Sequence, residues 1–362
     1  MRRGLPIRLE AVPSHPVERG VDPTDGGFLP WSAAMDRALY GPEGFFRRPE
    51  GPAGHFRTSV HASPLFAGAV LRLLRLVDRA LENPERIDLV DLGAGRAELL
   101  TAVLDQLGGP EDAGLRDRLR PVAVEIAERP EGLAAGIEWL PRAPADVTGL
   151  VIANEWLDNV PCDVVELGPH GPRVVEVARD GAERLGPEPD RSQQAWLECW
   201  WPGWDGGEPG MRAELGLMRD AAWAGAVGSL ARGLAVAVDY AHTADTRPRY
   251  GSLTGYARGR EVPPVPDGSC DLTAHVALDA CAAAASACAH WTRTLDQRTA
   301  LRRLGVSGQR PELALASSDP RGYIRALSRA GQAAELTDPA GLGRFSWLLQ
   351  GVDMPRLTDL ED

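Results

Sequence analysis

Carboxylates meet glycines, amides or rings at three places in this chain, in patterns that chemistry could use. The first is Asp91-Leu92-Gly93-Ala94-Gly95, an acid and then two glycines one residue apart, with Glu98 just beyond. Glycine has no Cβ, so such a turn can be tight and a ligand can approach its backbone closely. The second is Asn154-Glu155-Trp156-Leu157-Asp158-Asn159-Val160-Pro161, an amide and two acids in short order. Carboxylates so placed can grip a cation, orient an N–H group or take a proton. The third is split between Asp239-Tyr240 and the pair Asp271 and His275. An even spacing puts Asp271 and His275 on one face of a strand. Two readings stand there: mutual orientation for proton transfer, or a structural hydrogen bond that pins a corner. His242 reads as a loop histidine.

Periodicity supplies the elements that must carry these groups. Ile87–Leu92 is an apolar run, and Leu99, Leu100, Val103, Leu104 and Leu107 recur on one helix face after the glycines. That is a buried strand, a turn and a helix, the opening unit of an open α/β sheet whose ligands bind at the carboxyl ends of the strands. A second strand is expected at Pro121–Ile126 with Glu125 near its end, after a Gly/Pro/charge-rich loop at 108–120. Further strands follow at Gly149–Asn154, feeding the second acidic stretch, and at Leu234–Asp239, feeding the third. Alternation over Asp271–Asp279 predicts one half-buried strand. A helix capped by Ser63, with Pro64 in its first turn, presents Phe66, Val70, Leu73, Val77 and Leu81. A short helix is expected at Ser32–Leu39, a helix with Leu215, Met218, Trp223, Val227 and Leu230 that stops at Gly233, an Ala/Cys-rich helix after Asp279, a helix near Asp296–Leu304 and a last strand near Phe345–Leu349. The domain plan is an N-terminal extension and helical cap over 1–82, then an α/β domain over 83–362 interrupted by a Trp-rich hairpin lobe at about 162–210. Trp196, Trp200, Trp201 and Trp204 read as the core of that lobe.

The turn also discriminates among nucleotides. A dinucleotide fingerprint wants Gly or Ala where Glu98 stands, and a carboxylate in the first helical turn occupies the dipole end a diphosphate would use. S-adenosylmethionine carries a sulfonium and an ammonium and no phosphate, so Asp91 and Glu98 suit it better than NAD. All 39 basic residues are Arg, which excludes a phosphate-loop lysine, a pyridoxal Schiff base and a Ser-Lys nucleophile pair. A net charge of −12 argues against a general nucleic-acid binder. The five cysteines are odd in number and lack a Cys-x-x-Cys pair, which suggests reduced thiols in a cytoplasmic protein and no metal site. No apolar run approaches the ~20 residues of a spanning helix, so no membrane role is expected.

Four stretches in order, over roughly residues 31–350, resemble the MidA-like family of S-adenosylmethionine-dependent methyltransferases, which is related to the mitochondrial complex I assembly methyltransferase. They are Gly54-His55-Phe56-Arg57-Thr58-Ser59 with Ser63-Pro64-Leu65-Phe66; Ala153 to Pro161; Asp239-Tyr240-Ala241 with Gly251-Ser252-Leu253-Thr254-Gly255-Tyr256; and Asp271-Leu272-Thr273-Ala274-His275-Val276. The family commonly has acids where His55 and His61 stand and Gly where Ala97 stands. These departures mark a divergent, actinobacterial-type member.

The resemblance implies a class I methyltransferase fold, a Rossmann-like open sheet with helices on both faces. Asp91, Gly93, Ala94, Gly95, Glu125 and Asn154 would bind the donor, with Glu125 placed for ribose hydroxyls. Glu155, Asp158 and His275 would be catalytic, and Thr58, His61, Asp239, Tyr240 and Asp271 would meet the acceptor. The implied function is methylation of a protein side chain, arginine by family analogy. The alternatives are a small-molecule acceptor and a non-catalytic assembly factor that retains the donor pocket. A homodimer is compatible with the sequence.

Overall fold

The computed structural model describes residues 27–47, 59–109, 112–204 and 206–360. Its frame is a seven-stranded sheet ordered Trp291–Asp296, Ser346–Val352, Leu230–Asp239, Val147–Asn154, Ile87–Leu92, Leu119–Val124 and Glu138–Leu140. Ser346–Val352 runs antiparallel to both its neighbours, and the other pairings are parallel. The chain first builds outward from Ile87–Leu92 through Leu119–Val124, then returns to add Val147–Asn154 on the opposite side. That reversal makes a switch point, and it opens a crevice beyond the carboxyl ends of Ile87–Leu92 and Val147–Asn154. In register Leu92 lies beside Ala153, so the glycine turn and Asn154-Glu155 leave the sheet side by side.

Both faces of the sheet are covered, which is why its central strands read as unbroken apolar runs. On one face lie Pro64–Ala80, Glu98–Gln106 and Gln297–Arg303, contributing Phe66, Val70, Leu73, Val77, Leu100 and Leu301 to the core. Ser63 accepts from the amide of Leu65 at 3.0 Å and caps the first of these helices, and Pro64 follows it, as the sequence predicts. On the other face Leu217–Gly228 and Leu278–Ala284 supply Trp223, Val227 and Cys281.

Between Asp163 and Leu215 the chain leaves the sheet and forms an antiparallel lobe of hairpin strands and one helix, Arg191–Trp200. Trp196, Trp201 and Trp204 are buried there, as expected of a lobe core. Leu29–Pro30, directly before the first helix, Trp31–Tyr40, joins this lobe as an edge strand.

Three expectations shift. The second strand is Leu119–Val124 rather than Pro121–Ile126, because the amides of Ile126 and Ala127 turn onto the Glu125 carboxylate and leave the ladder. The region read as a loop at 108–120 contains a helix, Ala113–Arg118. Asp271–Asp279 is not one strand. Asp271–Thr273 pairs in a three-stranded sheet and Val276–Ala277 in a separate two-stranded one, with a helix starting at Leu278. The cause is visible in the hydrogen bonds. The carbonyls of Ala274 and His275 accept from Arg219 Nη1 at 2.9 and 3.1 Å, and the His275 amide donates to Ser252 Oγ at 2.9 Å. Groups committed to side chains cannot continue a ladder. The structure also contains a strand, Trp291–Asp296, and a helix, Pro320–Leu336, that the spacing analysis does not predict.

Candidate active site

On the donor side of the crevice, Gly93 and Gly95 both take positive φ, +68° and +58°. A Cβ on Gly93 would lie 2.6 Å from Cδ1 of Trp156, so the acceptor-side loop packs directly on the glycine turn. Ala97 also sits at φ +64°, in the region that favours glycine. Three carboxylates surround the turn. Asp91 is buried at the strand end, and burial, then Glu98 and Glu125, push its carboxyl well above the usual range. Glu125 accepts from the Gly95 amide at 3.0 Å with one oxygen and from Ile126 and Ala127 at 2.7 and 3.1 Å with the other. Glu98 accepts from the Arg96 amide at 2.8 Å, and its other oxygen lies 3.5 Å from His61 Nε2. Burial raises the Glu98 carboxyl, but the His61 hydrogen bond and nearby amides outweigh it and leave it below its ordinary value. A cluster of acids around the glycine turn fits a ligand that brings an ammonium and hydroxyl donors.

On the acceptor side, Glu155 sits at φ +52°, a strained conformation for a non-glycine residue. Its amide donates to Val238 O at 2.8 Å, and its Oε1 accepts from the Ser59 amide at 2.9 Å and Asn154 Nδ2 at 3.1 Å. Burial, with Asp158 adding to it, raises its carboxyl to about 7 against the pull of the Ser59 amide. Asp158 accepts from Thr273 Oγ1 at 2.6 Å; burial raises its carboxyl too, opposed by that bond and by Arg219.

Asp239 lies at the end of the neighbouring strand and is fully buried. Its Oδ2 accepts from three successive amides, those of Trp156, Leu157 and Asp158, at 3.2, 2.9 and 3.3 Å. One carboxylate thus caps, from another strand, the 3-10 turn Leu157–Asn159 that carries Asp158. Asp271 accepts from Asn159 Nδ2 at 2.9 Å, and Tyr40 donates to Asn159 O at 3.0 Å. Burial and then the charges of Asp158 and Glu155 push both Asp239 and Asp271 well above the usual carboxylate range.

The expected Asp271–His275 partnership is absent from this arrangement, since the break after Thr273 sends the two side chains to different partners. His275 stacks on Tyr240, ring centroids 5.4 Å apart and planes at 17°, and Tyr240 packs on Phe345 at 4.2 Å. Burial, then Arg344 and Arg219, lower the His275 pKa, so the ring is held neutral. Burial first, and Glu155 next, raise the Tyr240 hydroxyl to about 12. His242 is buried against Trp201 in the lobe and bonded to Arg247, away from these acids. Thr58 and His55 lie outside the described residues. His61 belongs to the short helix Ser59–Ala62 and touches the donor-side acid Glu98 rather than the acceptor-side turn.

Arg219 is a site residue that sequence reasoning does not find. Its guanidinium is buried and donates to the carbonyls of Asp158, Val160, Ala274 and His275 at 2.8 to 3.1 Å. One buried cation thus ties the 155–160 loop to the 271–275 segment and offsets part of the negative charge between them. A signal existed: Arg219, Trp223 and Val227 fall on one helical row, so an arginine stands in the buried stripe of its helix. Among the described residues no cluster of His, Cys, Asp and Glu could hold a metal ion, and no helix is long and apolar enough to cross a membrane.

Comparison with known proteins points to one family. Residues 67–295 match the family described as "putative S-adenosyl-L-methionine-dependent methyltransferase". A crystal structure of a Burkholderia thailandensis protein bound to S-adenosyl-homocysteine is 25% identical, with a TM-score of 0.73 over 92% of this chain and 90% of that one. A native crystal structure of an uncharacterized Burkholderia thailandensis protein of the same superfamily gives the same identity, coverage and TM-score. No curated protein matches the chain in sequence.

Proposed function

We propose, for a chain that belongs to the S-adenosyl-L-methionine-dependent methyltransferase family, that the methyl acceptor is a nitrogen of a protein side chain, the arginine guanidinium in particular. Bound S-adenosyl-L-methionine supplies a methyl group already activated on a sulfonium, so the protein has to position the acceptor, exclude water and take a proton. Asp91, Gly93, Ala94, Gly95, Glu125 and Asn154 are assigned to the donor. Glu155 and Asp158 are assigned to the acceptor, with Tyr240, His275 and Asp271 forming the wall around it.

The observation that carries this reading is a set of unmet acceptors. Asp158 Oδ1 and Asp239 Oδ1 are buried without a hydrogen-bond partner. Leaving such oxygens unmet is costly, and only N–H or O–H donors can satisfy them. A guanidinium brings five donors in a planar fork and a positive charge, which suits a buried acidic turn. Glu155, with its carboxyl raised to about 7, is suited to receive the acceptor's proton near neutral pH. As the new N–C bond formed and the methyl's bond to the sulfonium sulfur broke, leaving a neutral thioether, the proton of the acceptor nitrogen would pass to a Glu155 oxygen.

The test is incubation of purified protein with labelled donor and cell lysate, followed by mass spectrometry of the labelled product. Label in methylarginine of a protein is the expected result. Label confined to small metabolites, or to a residue without nitrogen, would replace this acceptor with another.

A further inference from the structure

Glu214 belongs to Arg212–Leu215, a strand of the antiparallel lobe, and lies in neither acidic turn of the crevice. It is 3% exposed, and its Oε2 is buried without a hydrogen-bond partner. A buried acid so placed is costly, and what it holds is backbone. Its Oε1 accepts from the amides of Ser252 and Leu253, the latter at 3.0 Å. Gly251 sits at φ +77°, and a Cβ there would lie 2.7 Å from that same oxygen. The turn therefore closes on the carboxylate because residue 251 is glycine. Main chain ties the turn to the same strand, since the Arg212 amide donates to Arg249 O at 3.0 Å.

Two routes lead from this turn to the acceptor side. Ser252 Oγ accepts from the His275 amide at 2.9 Å, and the His275 ring stacks on Tyr240. Arg219 holds the carbonyl of His275 and Ser252 its amide, so neither contact replaces the other. Directly after Leu253 the chain enters Thr254–Ala257, which pairs antiparallel with Asp271–Thr273. Thr254 lies beside Thr273 and Tyr256 beside Asp271 in that register. Thr273 Oγ1 in turn donates to Asp158 at 2.6 Å.

We infer that Glu214 is a positioning residue for methyl transfer. The lobe's carboxylate fixes the 251–253 turn and, through it, the wall of His275 and Tyr240 and the strand whose Thr273 holds Asp158. Its role parallels that of Asp239, which orders the 156–158 amides from another strand. The lobe is thereby a working part of the acceptor side. An acceptor nitrogen that must meet the sulfonium carbon in line is sensitive to small displacements of the wall that presents it. That this wall faces the acceptor rests on the reading in the preceding section; the hydrogen-bonded relay does not.

The test uses the full-length protein with isotope-labelled histidine, S-adenosyl-homocysteine as the donor-site probe, and labelled donor with a dilution series of cell lysate. Glu214→Leu removes both acceptors at similar volume. It should move the His275 ring resonance, identified by its loss in His275→Gln, and raise the lysate concentration for half-maximal labelling about tenfold. Ser252→Ala cuts only the link to His275 and should move both readouts the same way by less, which decides the matter if Glu214→Leu does not fold. Glu214→Gln keeps an oxygen for the two amides and should recover most of what Glu214→Leu loses. Affinity for S-adenosyl-homocysteine should stay unchanged in all three variants. The proposal is overturned if the His275 resonance stays put in both Glu214→Leu and Ser252→Ala, or if Glu214→Gln is as damaging as Glu214→Leu. A loss of donor affinity that matches the loss of labelling overturns it as well. A parent chain that labels nothing in lysate defeats the acceptor reading instead, and the His275 resonance then decides the relay by itself.

Discussion

The two sides of the crevice hold similar numbers of acids but organise them in opposite ways. On the donor side Glu125 and Glu98 spend oxygens on the backbone amides of Gly95, Arg96, Ile126 and Ala127, all near in sequence to one another or to the turn. That side is shaped by main-chain geometry. On the acceptor side Glu155, Asp158, Asp239 and Asp271 are fixed by Ser59, Thr273, the 156–158 amides and Asn159, which come from distant parts of the chain. That side keeps buried oxygens unmet and carboxyls raised by burial.

The sharpest way to break this comparison is Gly93→Val. The φ of +68° and the 2.6 Å approach to Trp156 leave no room for a branched side chain. Calorimetry should show S-adenosyl-homocysteine binding abolished while circular dichroism retains the folded spectrum. Retained affinity would mean that the turn does not hold the donor. Glu155→Gln should instead leave donor affinity nearly intact and lower transfer by about 10²-fold or more. Equal losses of both would move Glu155 to the donor side.

Asp239→Asn probes the cap on the turn that carries Asp158. The amide oxygen can still accept from the 156–158 amides, but an NH₂ replaces the second carboxyl oxygen, and transfer should fall about tenfold. Donor affinity should not move, and an unchanged rate would make the Asp239 cap irrelevant to catalysis.

The smallest effect is on pH dependence. Because the Glu155 carboxyl is raised from 4.5 to about 7 in the folded chain, the stability it contributes is present below 4.5 and is lost as pH rises through about 7. Urea unfolding should therefore show Glu155→Gln gaining stability relative to the parent chain at pH 8 and not at pH 4. The transfer rate of the parent should rise over the same interval, as the carboxylate that accepts the proton forms. A stability difference independent of pH would remove Glu155 as the titrating group.

Much of the frame is legible in the sequence because its signals are local. The apolar run at Ile87–Leu92, the glycines at 93 and 95, and the Ser63-Pro64 helix start each depend on neighbours within one or two turns, and each appears where its pattern places it. Alternation over Asp271–Asp279 is equally local, but it says nothing of where backbone groups find partners. Arg219, more than fifty residues away, takes the carbonyls that would have continued the strand. The helix Pro320–Leu336 begins with Asp319 capping Gly322, and Ile324, Leu327, Ala330, Ala333 and Leu336 recur every three residues along it, so its signals too are local in the sequence.

By itself, then, the sequence determined the alternation of strands and helices, the donor-type turn and the residue types at the strand ends, because steric freedom at glycine and hydrophobic periodicity act over a few residues. Only the tertiary structure decided that Asp239 caps the turn bearing Asp158, that Ser59 holds Glu155, that His275 faces Tyr240 rather than Asp271, and that a buried arginine binds the two acidic segments together. Those pairings depend on which buried polar groups meet when the sheet closes, and burial makes each unmet group too costly to leave to sequence proximity.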